Sequence, residues 1–282
     1  VSLNQAKLLT QITPLKYPLI LFKQDGIYGL GNFYNGKQGK AETGLEISTL
    51  AIVDVGFNTA YHVSTRQTPV KTKDANGSRV TAYLSHFKTD CHALPKDIRY
   101  LVTDAYYSKQ QFTNGLLGCG YHPVGKLRCD ANLRHLYTGE QKAKGRHRRY
   151  TGKLVIGDVS QPDYVGEKDG VKVYTAIVNC VNLKRDIRLV YLLRHNGYAV
   201  LFSTDTELEA MTLHRYYQAR FQIEFLFRDA KQFTGLNPLP GTLGSGSAQP
   251  FQRLFHRIEP DQMARQATVA PAEADFGRQL EN

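Results

Sequence analysis

"HRYYQARFQIEFLFRDAKQFTGL", residues 214–236, is rich in Tyr and Phe, yet Arg220, Glu224, Arg228 and Lys231 are threaded through it. A helix turns each successive side chain by about 100°. With Tyr217 set at zero, Arg220 falls near ~300°, Lys231 near ~320°, Glu224 near ~340° and Arg228 near ~20°. A single helix would gather these polar tips in an arc of about 80° over roughly four turns. Ile223, Leu226, Ala230 and Phe233 would take the far side, with Phe221, Phe225 and Phe227 flanking the stripe. Two readings follow. One is a solvent face carrying the i,i+4 ion pairs Arg220–Glu224 and Glu224–Arg228. The other is a phosphoryl-transfer site, in which a carboxylate holds a divalent ion and the cations hold phosphates. Upstream, Thr204, Asp205 and Thr206 offer helix caps, with Glu207 and Glu209 in the first turn.

Working outward, the 282 residues carry a formal net charge of +11 with 41% hydrophobic residues, enough apolar material for one large domain or two small ones. The excess favours a polyanionic partner, nucleic acid before a membrane surface. Much of it is concentrated between Lys126 and Lys153. There Lys126, Arg128, Arg134, Lys142, Lys144, Arg146, Arg148, Arg149 and Lys153 face only Asp130 and Glu140. A solvated loop is the plain alternative to phosphate contact for this run. No secretory segment and no membrane-length apolar run is visible, so a soluble intracellular protein is expected. The four cysteines form no CxxC pair, and the Cys119/His122 spacing lacks a partner pair for zinc.

Residues 45–68 read as two β-runs around a turn at Gly56–Asn58. Residues 69–80 read as an exposed loop. In "DIRYLVTDAYYSKQQF" (97–112) a short buried strand, 100–103, ends at Asp104 and leads into a helix. An acid at the carboxyl end of a buried strand is where open α/β sheets place functional groups. Strand-like runs follow at 153–159, 171–181, 187–194 and 198–204, with hairpin chemistry at Asp169–Gly170 and Asn196–Gly197. From Asn237 the Pro, Gly and Ser content predicts a poorly ordered tail to Asn282. "GNFYNGKQ" (31–38) nearly matches a P-loop, but Gln38 cannot supply the magnesium-binding hydroxyl.

The spacing Tyr217-x2-Arg220-x3-Glu224-x6-Lys231 resembles the Tyr–Arg–Glu–Lys signature of bacterial insertion-sequence transposases, the group named after insertion sequence 4. "GLGNFYNG" (29–36), "GLEISTLAIVDV" (44–55), "TAYHVSTRQTP" (59–69), "YLVTDAYYSK" (100–109) and "GKLRCDANLRHLY" (125–137) are similar to further phrases of that family, in its order. The resemblance spans roughly residues 28–236. It implies a ribonuclease H-like α/β fold: a mixed sheet with flanking helices, and a β-rich insertion between the second and third catalytic acids. Asp104 resembles the second acid and Glu224 the third, both as metal ligands. The implied chemistry uses two Mg²⁺ ions, for which Mn²⁺ can substitute. One strand is hydrolysed at each element end, and the freed 3′-OH attacks target DNA. Tyr217, Arg220 and Lys231 resemble residues that grip the transposon strand, and Arg228 lies on the same stripe. Lys126, Arg128, Arg134, Arg146, Arg148 and Arg149 would track the DNA backbone. Implied partners are double-stranded DNA at terminal inverted repeats, target DNA and a second copy of the chain when assembled on DNA, in the bacterial cytoplasm and away from membranes.

The resemblance divides the chain into a divergent segment 1–27, a first catalytic part 28–125, a basic loop and β-rich insertion 126–205, the stripe helix 206–236 and a tail 237–282. The first acid departs from the family. "YPLILFK" (17–23) puts Tyr17 where an aspartate stands in relatives, leaving Asp25 as the nearest candidate. Asp54 belongs to the hairpin turn instead. After Leu236 the chain turns to "NPLPGTLGSGS", where relatives continue into a packed helix. A frameshift there, with an altered or truncated start, is the expectation. Two rivals remain: a catalytically inactive remnant that only binds DNA, and a cellular ribonuclease H-like nuclease. The second would leave the stripe and the long β-insertion unexplained.

Overall fold

The computed structural model describes residues 7–12, 31–35, 39–44, 46–69 and 78–234. Asp25, Tyr17 and the tail 237–282 lie outside them. The chain divides into two compact units, one running to Arg99 and resuming at Ala219, the other covering Tyr100–Gln218.

In the first unit, β1 (Lys7–Ile12) is the first strand among the described residues. A separate hairpin joins β2 (Gly31–Asn35) to β3 (Lys40–Gly44). The main sheet centres on β4 (Ile47–Asp54), with β1 antiparallel on one side and β5 (Thr59–Gln67) antiparallel on the other. β4 is buried along nearly its whole length, as a strand covered on both faces must be. The turn after it forms where the sequence predicts. Asp54 Oδ1 accepts the amides of Gly56 and Phe57 at 2.9 and 3.0 Å, and Asn58 takes a left-handed φ of 49°. Asp54 is therefore engaged in closing a hairpin.

Helix α1 (Arg79–Asp90) starts at Ser78, whose hydroxyl accepts the Thr81 amide, so the expected loop 69–80 yields to helix at its end. A buried polar network locks α1 onto the sheet. The His86 ring bridges Ser48 Oγ on β4 at 2.8 Å and Ser64 Oγ on β5 at 2.9 Å. Asp90 accepts from Ser64 at 2.6 Å and from Arg66 at 2.6 Å. Burial drives the His86 pKa down to about 4 against the opposing pull of Asp90. Burial pushes the Asp90 carboxyl up, but hydrogen bonds from Arg66 and Ser64 and the Arg66 charge hold it below its ordinary value.

The second unit opens with β6 (Tyr100–Thr103), α2 (Gln110–Leu117) and β7 (His122–Lys126), the two strands running parallel. It continues through β8 (Leu133–Leu136), β9 (Tyr150–Leu154), β10 (Asp163–Lys168), β11 (Val171–Cys180), β12 (Arg185–Arg194) and β13 (Gly197–Ser203). The strand order is β6-β7-β13-β12-β11-β8-β9, with β10 also on β11 and every pair beyond β6–β7 antiparallel. Asp169 and Gly170, at φ 53° and 71°, make the tight β10–β11 turn. Gly125 lets β7 approach its neighbours, since a Cβ there would lie 3.2 Å from the Phe202 ring and 3.3 Å from the Thr103 carbonyl. Leu133, Val178, Ile187, Leu189, Tyr191 and Phe202 fill one continuous core. The expected strand 153–159 ends early, at Leu154, and the basic stretch is not all loop, because β8 and β9 run through it.

Helix α3 (Ala210–Ala219) starts later than its apparent caps. Glu209 takes the N-terminal position, accepting the amides of Met211 and Thr212 at 3.0 and 2.8 Å. The chain then re-enters the first unit with α4 (Gln222–Thr234), which packs on β5 and β4. The fold is mixed α/β.

Below the ordinary histidine range the fold holds proton-poor imidazoles that the unfolded chain would protonate. Stability should be full above about pH 6.5 and fall as pH drops toward 4, with His86 contributing up to about 3 kcal/mol. His214, buried in the second unit beside the Lys168 and Arg194 charges and also lowered to about 4, acts in the same sense. Urea midpoints measured between neutral and acid pH should therefore decline, and His86→Gln should flatten the decline.

Candidate active site

The stripe does not lie on one helix. α3 ends at Ala219 and α4 begins at Gln222, with Arg220 and Phe221 forming a turn between them. Short-range bonds mark this break: the Ile223 amide donates to the Arg220 carbonyl at 3.3 Å and the Glu224 amide to the Phe221 carbonyl at 3.0 Å. Tyr217 sits on α3, half-buried, while Glu224, Arg228 and Lys231 belong to α4. The uniform 100° rotation that grouped all five residues holds only within α4.

The break places Glu224 in the first turn of α4, where the helix dipole favours a carboxylate. Ile223, Leu226, Phe227 and Ala230 recur at helical spacing and are all buried. Phe227, expected to flank the polar stripe, thus joins the core face. Glu224 stands partly open, its side chain 40% exposed, with Arg220 Nη2 at 3.4 Å from Oε1. Arg220 itself is buried, so the pair is anchored from the cation's side. The Glu224–Arg228 bridge of the solvent-face reading gives way to a different arrangement. Arg228 reaches Asp229 at 3.5 Å and lies over the Phe225 ring, 4.7 Å from its centroid. Phe225 in turn meets Phe221 edge-on.

Asp104 follows β6 directly, as the sequence predicts. Its carboxylate accepts the Tyr106 amide at 2.8 Å and caps a 3₁₀ turn, residues 105–107. Lys109 Nζ lies 3.7 Å from the centre of the Tyr106 ring. Burial and the Arg128 charge lower the Lys109 pKa, and the Asp104 charge opposes them. Lys109 is a residue that sequence reasoning passed over, although it ends the quoted phrase "YLVTDAYYSK". Asp104 belongs to the second unit and Glu224 to the first.

The basic residues of the second unit divide by what already holds them. Arg128 is paired with Asp130 at 2.9 and 3.1 Å, both side chains open to solvent. Arg148 donates to the carbonyls of Tyr150 and Thr151 and stacks on Tyr137, which makes it a structural staple. Arg134 and Arg149 both lie over the Tyr150 ring, at 5.3 and 5.7 Å. Arg146 is exposed and Lys126 partly so, at the end of β7.

Carboxylate oxygens are the donors that a hard divalent cation takes, so Asp104 and Glu224 each carry a suitable donor group. Among the described residues, no group of three or more His, Cys, Asp or Glu side chains gathers.

Residues 33–240 match the family model of the transposase DDE domain, and the chain belongs to that family. No curated protein matches it. Among solved structures, endonuclease V from Bacillus subtilis is similar at a TM-score of 0.36 and 9% identity, over 76% of this chain and 70% of that one.

Burial separates the two arginines energetically. Arg220→Ala should cost about 1–3 kcal/mol of stability through lost packing and an abandoned carboxylate. Arg228→Ala, exposed and stacked on one ring, should cost less than about 1 kcal/mol. Chemical denaturation of the two variants beside the parent protein measures the difference.

Proposed function

We propose that this transposase cuts one DNA strand at each end of its element and joins the freed 3′-OH to target DNA, in a Mg²⁺-dependent reaction on a ribonuclease H-like scaffold. The observation that carries this reading is the family match over 33–240, within which Asp104 directly follows strand β6 and Glu224 lies in the first turn of helix α4. The Tyr–Arg–Glu–Lys spacing supports membership in the insertion sequence 4 group.

Asp104 and Glu224 are the residues that would hold Mg²⁺, or Mn²⁺ in its place. When bound, the ion would polarise the phosphoryl oxygens and lower the pKa of the attacking water. Arg220 orients the Glu224 carboxylate from its buried position and limits the directions in which that carboxylate can turn. Tyr217, Arg228 and Lys231 are assigned to the DNA strand, and Lys126, Arg134, Arg146 and Arg149 to backbone phosphates, which fix position without reading sequence. Double-stranded DNA at the terminal inverted repeats and target DNA are the substrates, and a homodimer assembled on paired ends is the working form. Asp25, the carboxylate nearest the position where relatives have their first acid, is the candidate for that role.

The test is nicking of a labelled duplex that carries an element end, with Mg²⁺, with Mn²⁺ and with chelator. Metal-dependent nicking is expected. Glu224→Gln and Asp104→Asn should each reduce it on the order of 100-fold or more, leaving DNA affinity within about threefold. Binding with no nicking under any metal would overturn the reading and leave the DNA-binding remnant.

A further inference from the structure

A cleft of about 290 Å³ opens in the second unit, lined by Arg134, Arg149, Tyr150, Lys184, Arg185 and Asp186 among others. It brings together two parts of the chain that the sequence keeps far apart. Arg134 and Arg149 come from the basic stretch, whereas Lys184 comes from the β11–β12 turn and Arg185 from the start of β12. The β-register does this. Arg134 pairs with Asn179 across β8–β11, and Asn179 pairs with Asp186 across β11–β12.

Four cations therefore face one carboxylate, and that carboxylate is already engaged, since Asn179 Nδ2 donates to Asp186 Oδ1 at 2.7 Å. Among the described residues, none of the four cations has a carboxylate oxygen within 4.0 Å. Three of them are held in place before any ligand arrives. Arg134 and Arg149 share the Tyr150 ring, which limits their rotamers and the entropy lost on binding. Arg185 is fixed by Nη2 donating to Asn114 Oδ1 at 2.6 Å, yet its Nε is buried with no hydrogen-bond partner. A buried guanidinium donor left unsatisfied is costly, and an anion oxygen is the acceptor that would relieve it.

We propose that this cleft is a phosphate site that seats the backbone of a DNA strand on the β-rich part of the second unit, with Lys184 and Arg185 as its unrecognised ligands. The inference rests on the transposase reading for its ligand and adds an anchoring point to it. A phosphodiester is favoured over a free phosphate ester because the cleft opens beside the cations of the basic stretch. Its apolar lining is only Val181 and the Tyr150 ring, too little to enclose a base.

The test uses the full chain, a short fluorescent DNA duplex and anisotropy between about 50 and 200 mM salt. Arg149 and Lys184 are both exposed, so Arg149→Gln with Lys184→Gln should leave the fold intact, which circular dichroism checks. The double variant should bind about tenfold or more weakly and lose about 0.9 per cation from the salt slope. Lys172→Gln, an exposed charge on β11 outside the cleft, should change affinity less than about 1.5-fold, against about threefold per charge for the cleft pair. Equal losses per charge removed in the two variants would mean diffuse charge and overturn the site. Unchanged DNA binding with loss of calorimetric pyrophosphate binding would assign the cleft to a free phosphate ester, against the proposal. Nicking by the parent protein separates the two readings. If the parent nicks but the double variant binds normally, the cleft fails alone. If nothing nicks but the double variant releases DNA, the cleft stands and the cleavage chemistry fails.

Discussion

The seating of α4 on β4 and β5 is the contact on which the candidate chemistry of the first unit depends. Ile223, Leu226, Phe227 and Ala230 bury one face of the helix, and that burial fixes both its rotation and its starting point. Because the helix begins at Gln222, Glu224 is in its first turn and the buried Arg220 lies just before it. A helix continuous from α3 would leave Glu224 mid-helix, away from the favourable end of the dipole. The apolar face thus decides the electrostatic environment of an acid on the other side of the same helix.

Much of this was legible in the sequence, for identifiable reasons. The strand ending at Asp104 shows as a short apolar run before an acid, and the structure places it at Tyr100–Thr103. The turns at Gly56–Asn58 and Asp169–Gly170 are written in residues that tolerate left-handed backbone, and both formed. The hairpin strands β11, β12 and β13 appear within two residues of their expected limits.

What failed was of a different kind. The interruption at Arg220–Phe221 carries no Pro or Gly, so nothing local announces it, and the polar stripe continues across it in sequence. Tertiary packing overrides local propensity there. The caps at Thr204–Thr206 close a turn rather than start the helix: Asp205 accepts the Glu207 amide at 3.0 Å and the Tyr100 hydroxyl at 2.6 Å, a partner 105 residues away, while α3 begins only at Ala210. Lys184 and Arg185 were invisible as site residues because only the β-register brings them beside Arg134. Charge counted along the chain cannot see a cluster assembled across strands.

The clamp formed by Gln141 and Arg148 has a consequence for how this surface can vary. The Gln141 side chain both donates to the Arg148 carbonyl, at 2.8 Å, and accepts its amide, at 2.9 Å, so one residue imitates the partner strand that β8 and β9 lack beyond their ends. Arg148 then ties the base of the loop to the Tyr150 and Thr151 carbonyls. Residues 142–147 hang from this closed neck, and their length and charge are decoupled from the sheet beneath. Related chains could lengthen, shorten or recharge that arc without disturbing a single rung of the ladder, which makes it the natural place for such proteins to diverge in how tightly they hold DNA.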